Sequence, residues 1–139
     1  MATITNWSAD LSVGNYKIDE QRKELLESGQ RALDLIDHGN QILDSWMLYD
    51  VCDKILQLAL QIFAEEENLL TWNRCPSLAA HQEQHNSCLK AIAMIRANAT
   101  KQQTDKQSMI TLLSEYLRNH MLVTDLNCKE YMKVNLGNA

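Results

Sequence analysis

The stretch that decides the fold is "PSLAAHQEQHNSCL", residues 76–89. Leu78, His81, His85, Cys88 and Leu89, continued by Ile92 and Ile95, recur at the three- and four-residue spacing of one helix face. Pro76 suits the opening of such a helix, because a first turn has no helical use for the N–H that proline lacks. The stripe is apolar apart from two imidazoles one turn apart. This helix therefore aims histidines at its neighbours, and the chemistry of the chain turns on what meets them.

The same period extends outward in both directions. Ile18, Arg22, Leu25, Gly29, Leu33 and Ile36 form a first stripe, which "HGN" at 38–40 ends. The 17 residues before it predict an extended arm, with Trp7 and Tyr16 placed to cover an end of the core. A second helix starts near Gln41, carries Ile55, Leu58, Ala59, Ile62, Phe63, Leu69 and Leu70 inward, and is broken by "NRCPS" at 73–77. The third runs to about Ala99 and is followed by the polar connection "ATKQQTDK". A fourth, from about Asp105 to Lys133, shows Ile110, Leu113, Leu117, Met121, Thr124 and Cys128 on its inner stripe. Four helices of roughly 20–30 residues joined by short loops predict an all-α, up-down-up-down four-helix bundle with an extended N-terminal arm. The 139 residues suit one domain, 1–139, with no internal repeat.

Composition narrows the function classes. Hydrophobic content of 45% and charged content of 22% are ordinary for a globular domain. One proline and four glycines leave little turn chemistry, which favours long helices. A net charge of -5 argues against a nucleic-acid partner, which needs a basic face. No apolar run approaches the length of a membrane span, and "MATITNWSADLSVG" lacks the basic-then-apolar order of a signal peptide. Cys52, Cys75, Cys88 and Cys128 have no C-x-x-C spacing, so four thiols in a reducing cytoplasm are expected, with disulfides formally open.

Polar residues interrupting the apolar stripes carry the functional signal. Arg22 sits between Ile18 and Leu25/Leu26. In "AEEEN", Glu66 has Ile62, Phe63, Leu69 and Leu70 at its adjacent-turn positions, so the middle carboxylate is the one aimed inward. His120 and Asp125, five apart, lie about 140° around a helix at 100° per residue and flank the fourth stripe. Taken singly, a core histidine is commonly only hydrogen-bonded, and a glutamate in a run of three commonly faces water. Taken together, three histidines and two carboxylates from three helices are a costly set to bury without pairing or a metal. Their nitrogen and oxygen donors suit iron, manganese or zinc. The zinc-protease HExxH pattern does not fit: Gln82 follows His81 and Glu83 turns to the far side, so Gln82, Glu83 and Gln84 form the outer surface of that turn. His38, at a helix end, reads as a surface or capping residue.

With these residues in place the chain resembles the hemerythrin family, particularly the bacterial hemerythrins. The resemblance rests on Trp7, "VG" at 13–14, "IDEQRK" at 18–23, "IFAEEENLL" at 62–70, "PSLAAHQEQHNSCL" at 76–89 and "YLRNHMLVTDLNCKEY" at 116–131. It implies a four-helix bundle holding two non-haem irons that bind oxygen reversibly. On that resemblance His81, His85 and His120 match the ligands of one iron, and Glu66 and Asp125 match the two bridging carboxylates.

The second iron's two histidines are missing. Arg22 stands where "IDEQH" would place one, and Ile62 stands four residues before Glu66, where "HF" would place the other. Arginine has no lone pair to give and isoleucine has no donor atom. Gln61 and Glu65 are poorly directed to substitute. The expectation is one metal per chain, with the Arg22 guanidinium supplying charge to the carboxylates in place of the lost cation. Iron is the first choice by resemblance; zinc and manganese are compatible.

Normal oxygen carriage at two irons is therefore not expected. A mononuclear site would sense or handle oxygen or a related small redox ligand. A catalytic site is a second class, though the sequence shows neither a substrate pocket nor a proton relay. A metal-free bundle that binds a protein partner, with Arg22, Glu66 and Asp125 as an internal ion network, is the third. Cys88, three residues after His85, brings a thiol to the histidine face, either near the metal or as a small apolar filler.

Overall fold

Asn15 starts the first helix. Its carbonyl accepts from the Asp19 N–H at 2.9 Å and its side-chain oxygen from the Ile18 N–H at 3.2 Å, the double duty of an N-cap. The computed structural model describes residues 7–37 and 42–99, residues 111, 112, 115, 118–120 and 124, and residues 127–133. Helix α1 spans Tyr16–Asp37, α2 Ile42–Trp72, α3 Leu78–Ala99, and a short α4 Lys129–Met132. The described positions from 111 to 127 are also helical, and 112, 115, 118, 120 and 124 lie in wider π turns. The protein is thus all-α, with no strand among the described residues. The side chain of Ile36, together with His38, Gln41, Asp105, Ile110, Leu113, Leu117, Met121 and Asp125, lies outside them.

The arm departs from expectation. It is not simply extended, because Ala9–Leu11 form a 3₁₀ turn that buries Leu11. Trp7 packs on the core as expected, whereas Tyr16 is 80% exposed and covers nothing. It falls on the outer side of the first turn of α1, two residues before the stripe begins. Gly14, at φ +78°, lies so close to the Lys133 side chain that a Cβ would approach it to 3.0 Å. Asn15 Nδ2 also donates to the Met132 carbonyl at 3.1 Å, so the start of α1 is fastened to α4.

The turn between α2 and α3 is a Schellman motif. The Cys75 N–H reaches the Leu70 carbonyl at 2.8 Å and the Arg74 N–H reaches Thr71 at 3.1 Å, with Arg74 left-handed at φ 59°. The accompanying apolar contact is present: Cys75 and Leu70 belong to one buried cluster. The turn brings α3 back along α2, and α2 also packs against α1 and α4.

Two apolar clusters fill the interior. The larger joins Leu25, Leu26 and Leu33 of α1, Ile55, Ala59, Ile62 and Phe63 of α2, Cys88, Ile92 and Ile95 of α3, and Leu112. The smaller holds Val13, Ile18, Leu69, Leu70, Cys75, Cys128 and Met132. Along each helix the buried arginine, glutamate and histidines fall between the two. Arg22 lies between Ile18 and Leu25, Glu66 between Phe63 and Leu69, and His120 between Leu112 and Cys128. The fold therefore closes a polar layer with apolar packing on both sides.

Asn15→Ala removes both the cap and the tie to α4. The expected cost is about 1–2 kcal/mol of unfolding free energy, typical of a lost N-cap, measured by urea denaturation.

Candidate metal centre

Three of the groups expected from sequence converge with Glu66. His81, His85 and His120 present ring centroids 4.6, 4.8 and 4.8 Å apart, a near-equilateral triangle. One donor atom from each imidazole and one Glu66 oxygen all lie within 4.8 Å of one another, and all four residues are buried. Helix α3 supplies His81 and His85 from adjacent turns; α2 supplies Glu66. Phe63, one turn before Glu66, stacks on the His85 ring at 3.9 Å and meets His120 edge-on at 5.9 Å, closing the apolar wall of the site. Asp125 lies outside the described residues, so the structure does not place it.

Glu66 divides its two oxygens between two kinds of partner. Oε2 accepts from Arg22 Nε at 3.0 Å and from Nη2 at 2.7 Å. Oε1 faces the histidines, 3.1 Å from His85 Nε2 and 3.7 Å from His81 Nε2. Both guanidinium bonds converge on one oxygen, rather than forking across the carboxylate. The second oxygen is thereby left to the histidine side. Arg22 is fully buried, and its Nη2 also rests 3.6 Å from the Met132 sulfur. Ile62 is buried one turn before Glu66 and offers only hydrocarbon.

Each histidine also has a partner for its other nitrogen. His85 Nδ1 lies 2.7 Å from Glu67 Oε2. His120 Nδ1 lies 3.0 Å from Gln84 Oε1, an oxygen that also accepts from Thr124 Oγ1 at 2.6 Å. His81 Nδ1 lies 3.6 Å from Cys128 Sγ. With Nδ1–H donating to these acceptors, the lone pair of each ring sits on Nε2, the tautomer a metal ligand needs.

Glu67 and Gln84 were not expected in these roles. Gln84 has an exposed body on the outer turn of α3, yet its amide reaches back to His120 and Thr124, so "outer surface" describes it incompletely. Both residues have side chains long enough to return to the site from just off the stripe. The thiol beside the histidines is that of Cys128; Cys88 packs in the larger apolar cluster.

The donor set fits a cation by an argument internal to His85. A neutral imidazole has one N–H. If Nδ1–H donates to Glu67, the Nε2 lone pair points at the Glu66 oxygen 3.1 Å away. A second proton or a cation must then lie between them. Metal–ligand distances of about 2.0–2.2 Å place neighbouring donors roughly 3–3.5 Å apart, so the four donors need shift by only about an ångström to surround one ion.

No family model matches the chain, and no solved structure matches it. Among curated proteins, it is 25% identical over 131 residues to a bacteriohemerythrin of Stenotrophomonas maltophilia (strain R551-3), across 94% of this chain and 83% of that protein. The chain is hemerythrin-like. The alignment spans all three elements that carry the buried His/Glu group, and this hemerythrin-like chain holds that group in its polar layer. No helix among the described residues is long and apolar enough to cross a membrane.

The Arg22–Glu66 pair is open to a direct energetic test in chelator-treated protein. Arg22→Ala strands a buried carboxylate, and the expected loss is about 3–5 kcal/mol. Arg22→Ala combined with Glu66→Ala should cost clearly less than the sum of the two single changes, read from a double-mutant cycle in urea.

Proposed function

We propose that this protein binds a single metal ion, iron first among the candidates and zinc or manganese next, and uses it to sense or handle oxygen or a related small redox ligand. The ligands in this reading are His81, His85, His120 and Glu66, with Asp125 added from the family resemblance. The observation that carries the reading is the division of Glu66. One oxygen is committed to the Arg22 guanidinium at 2.7 Å and the other faces the histidines. A carboxylate that would bridge two cations instead bridges a fixed organic cation and one set of lone-pair nitrogens. Iron, when bound, would supply one-electron chemistry and an open coordination position.

The chain's own residues define the rest. Glu67, Gln84 and Cys128 orient the three imidazoles through their Nδ1 atoms. Phe63 keeps water from the inner side of His85 and His120. On the outer side, a cleft between α3 and residues 115, 119, 120 and 124 is lined by Gln84, Ser87, Asn119, Thr124 and the edge of His120. That cleft offers a small ligand a route to the histidine side. Two-electron reduction of oxygen shared between two irons is not available to one metal.

In this reading the helices form an up-down-up-down bundle and the protein works in a reducing cytoplasm, without nucleic acid or membrane as partner. The Arg22–Glu66 pair also suits a second reading, a metal-free bundle whose internal ion network serves binding to a protein partner. Metal analysis separates the two. Protein produced with iron supplied is expected to carry close to one metal per chain. Its spectrum in air should lack strong oxo-bridged di-iron bands. His85→Ala should bring the metal content near zero while retaining helical circular dichroism. Two metals per chain would contradict the single-site reading, and a wild-type protein without metal would favour the network.

A further inference from the structure

We propose that Cys75 and Cys128 form a redox pair that a hydroperoxide closes to a disulfide. Their sulfurs lie 3.8 Å apart, although 53 positions separate them in the chain, and neither is in a disulfide. Ser77 Oγ is 3.3 Å from each sulfur. These two thiols and a hydroxyl form a compact group beside the histidine cluster, at the end of the fold away from the larger apolar core.

The backbone permits closure. A disulfide needs its sulfurs at about 2.05 Å, so the pair must approach by nearly 2 Å. Neither cysteine is held inside a long helix. Cys75 occupies the Schellman turn between α2 and α3, and Cys128 sits at the turn that opens α4. Closure asks for rotation at two helix ends rather than inside a long helix. Cys75 is the more accessible, at 7% exposure against 3%, and is followed by the exposed Pro76 and Ser77.

The chemistry balances with hydrogen peroxide as the oxidant. The Cys75 sulfur attacks one peroxide oxygen and the O–O bond breaks. A sulfenic acid forms on Cys75, and the second oxygen leaves as water with the thiol proton. The Cys128 sulfur then attacks the Cys75 sulfur. The S–O bond breaks, the S–S bond forms, and the hydroxyl leaves as a second water with the Cys128 proton, for which Ser77 is placed as a relay. Two thiols are oxidised by two electrons and one peroxide is reduced to two waters.

The other two cysteines sit elsewhere. Cys52 and Cys88 pack in the larger apolar cluster. Burial pushes the Cys52 thiol up to about 12, against the lowering influence of Arg96, which keeps it protonated and unreactive.

Closure would also reach the metal site. Cys128 Sγ is the partner of His81 Nδ1, and a sulfur drawn towards Cys75 leaves that nitrogen without its orienting contact. This consequence rests on the metal reading above; the disulfide itself does not.

Peptide mapping tests the pair. Reduced full-length protein, as purified and after chelation, is treated with hydrogen peroxide without denaturant. It is then alkylated with N-ethylmaleimide in denaturant and digested. The expected result is loss of two of the four alkylatable thiols, one cross-linked Cys75–Cys128 peptide within a monomer, and full reversal by dithiothreitol. Cys75→Ser and Cys128→Ser should each abolish the cross-link. Four thiols still alkylatable, a cross-link through Cys52 or Cys88, or only intermolecular disulfides would overturn the proposal. If the disulfide forms and metal retention does not change, the pair stands and its link to His81 fails.

Discussion

The structure depends on how the Glu66 carboxylate is shared. A buried carboxylate costs several kcal/mol in lost hydration, and it is tolerated only with full-strength partners. Arg22 supplies one from α1 at 2.7 Å, and the imidazoles of α3 face the other oxygen. Three helices are therefore held in register by one side chain. A slip of one residue along α2 would present Glu65 or Glu67, and neither could meet the arginine and the histidines together. The apolar clusters on either side supply the bulk of the packing, while the carboxylate selects the register.

An arginine in this position changes what the site can be. A metal ion has movable ligands and open positions; a guanidinium has a fixed charge and only donors. It neutralises Glu66 permanently and offers nothing to oxygen or peroxide. In the proposed reading, a metal-bound ligand is thereby confined to the histidine side, where His120 meets the cleft. The partners of the Nδ1 atoms differ in kind: a carboxylate for His85, an amide for His120, a thiol for His81. The thiol-backed His81 is the one whose surroundings an oxidant can alter.

Much of this was legible in the sequence, and the parts that were not share a cause. The stripes of α1, α2 and α3 are long and regular, so Ile18 to Leu33, Ile55 to Leu70 and Leu78 to Ile95 read directly. Glu66 stood out among three glutamates because apolar residues occupy all four of its adjacent-turn positions. Arg22 stood out as a cation inside a stripe. Glu67 and Gln84 did not, because periodicity locates Cα positions and says little about where a long side chain ends. The contact between Cys75 and Cys128 spans 53 positions and arises from a turn closed by left-handed Arg74, a conformation expected of glycine. Between positions 111 and 127, Leu112 is buried, and the described positions in wider π turns depart from the 100° per residue of an α-helix.

The central claim is that a guanidinium stands where a second metal would, leaving room for one ion among the histidines. Anomalous X-ray diffraction at the iron edge, from crystals of iron-loaded protein, tests it most directly. The account predicts one anomalous peak within bonding distance of His81, His85, His120 and Glu66, with Arg22 still on the opposite Glu66 oxygen. Two peaks bridged by Glu66, or one peak with Arg22 swung away from the carboxylate, would contradict it.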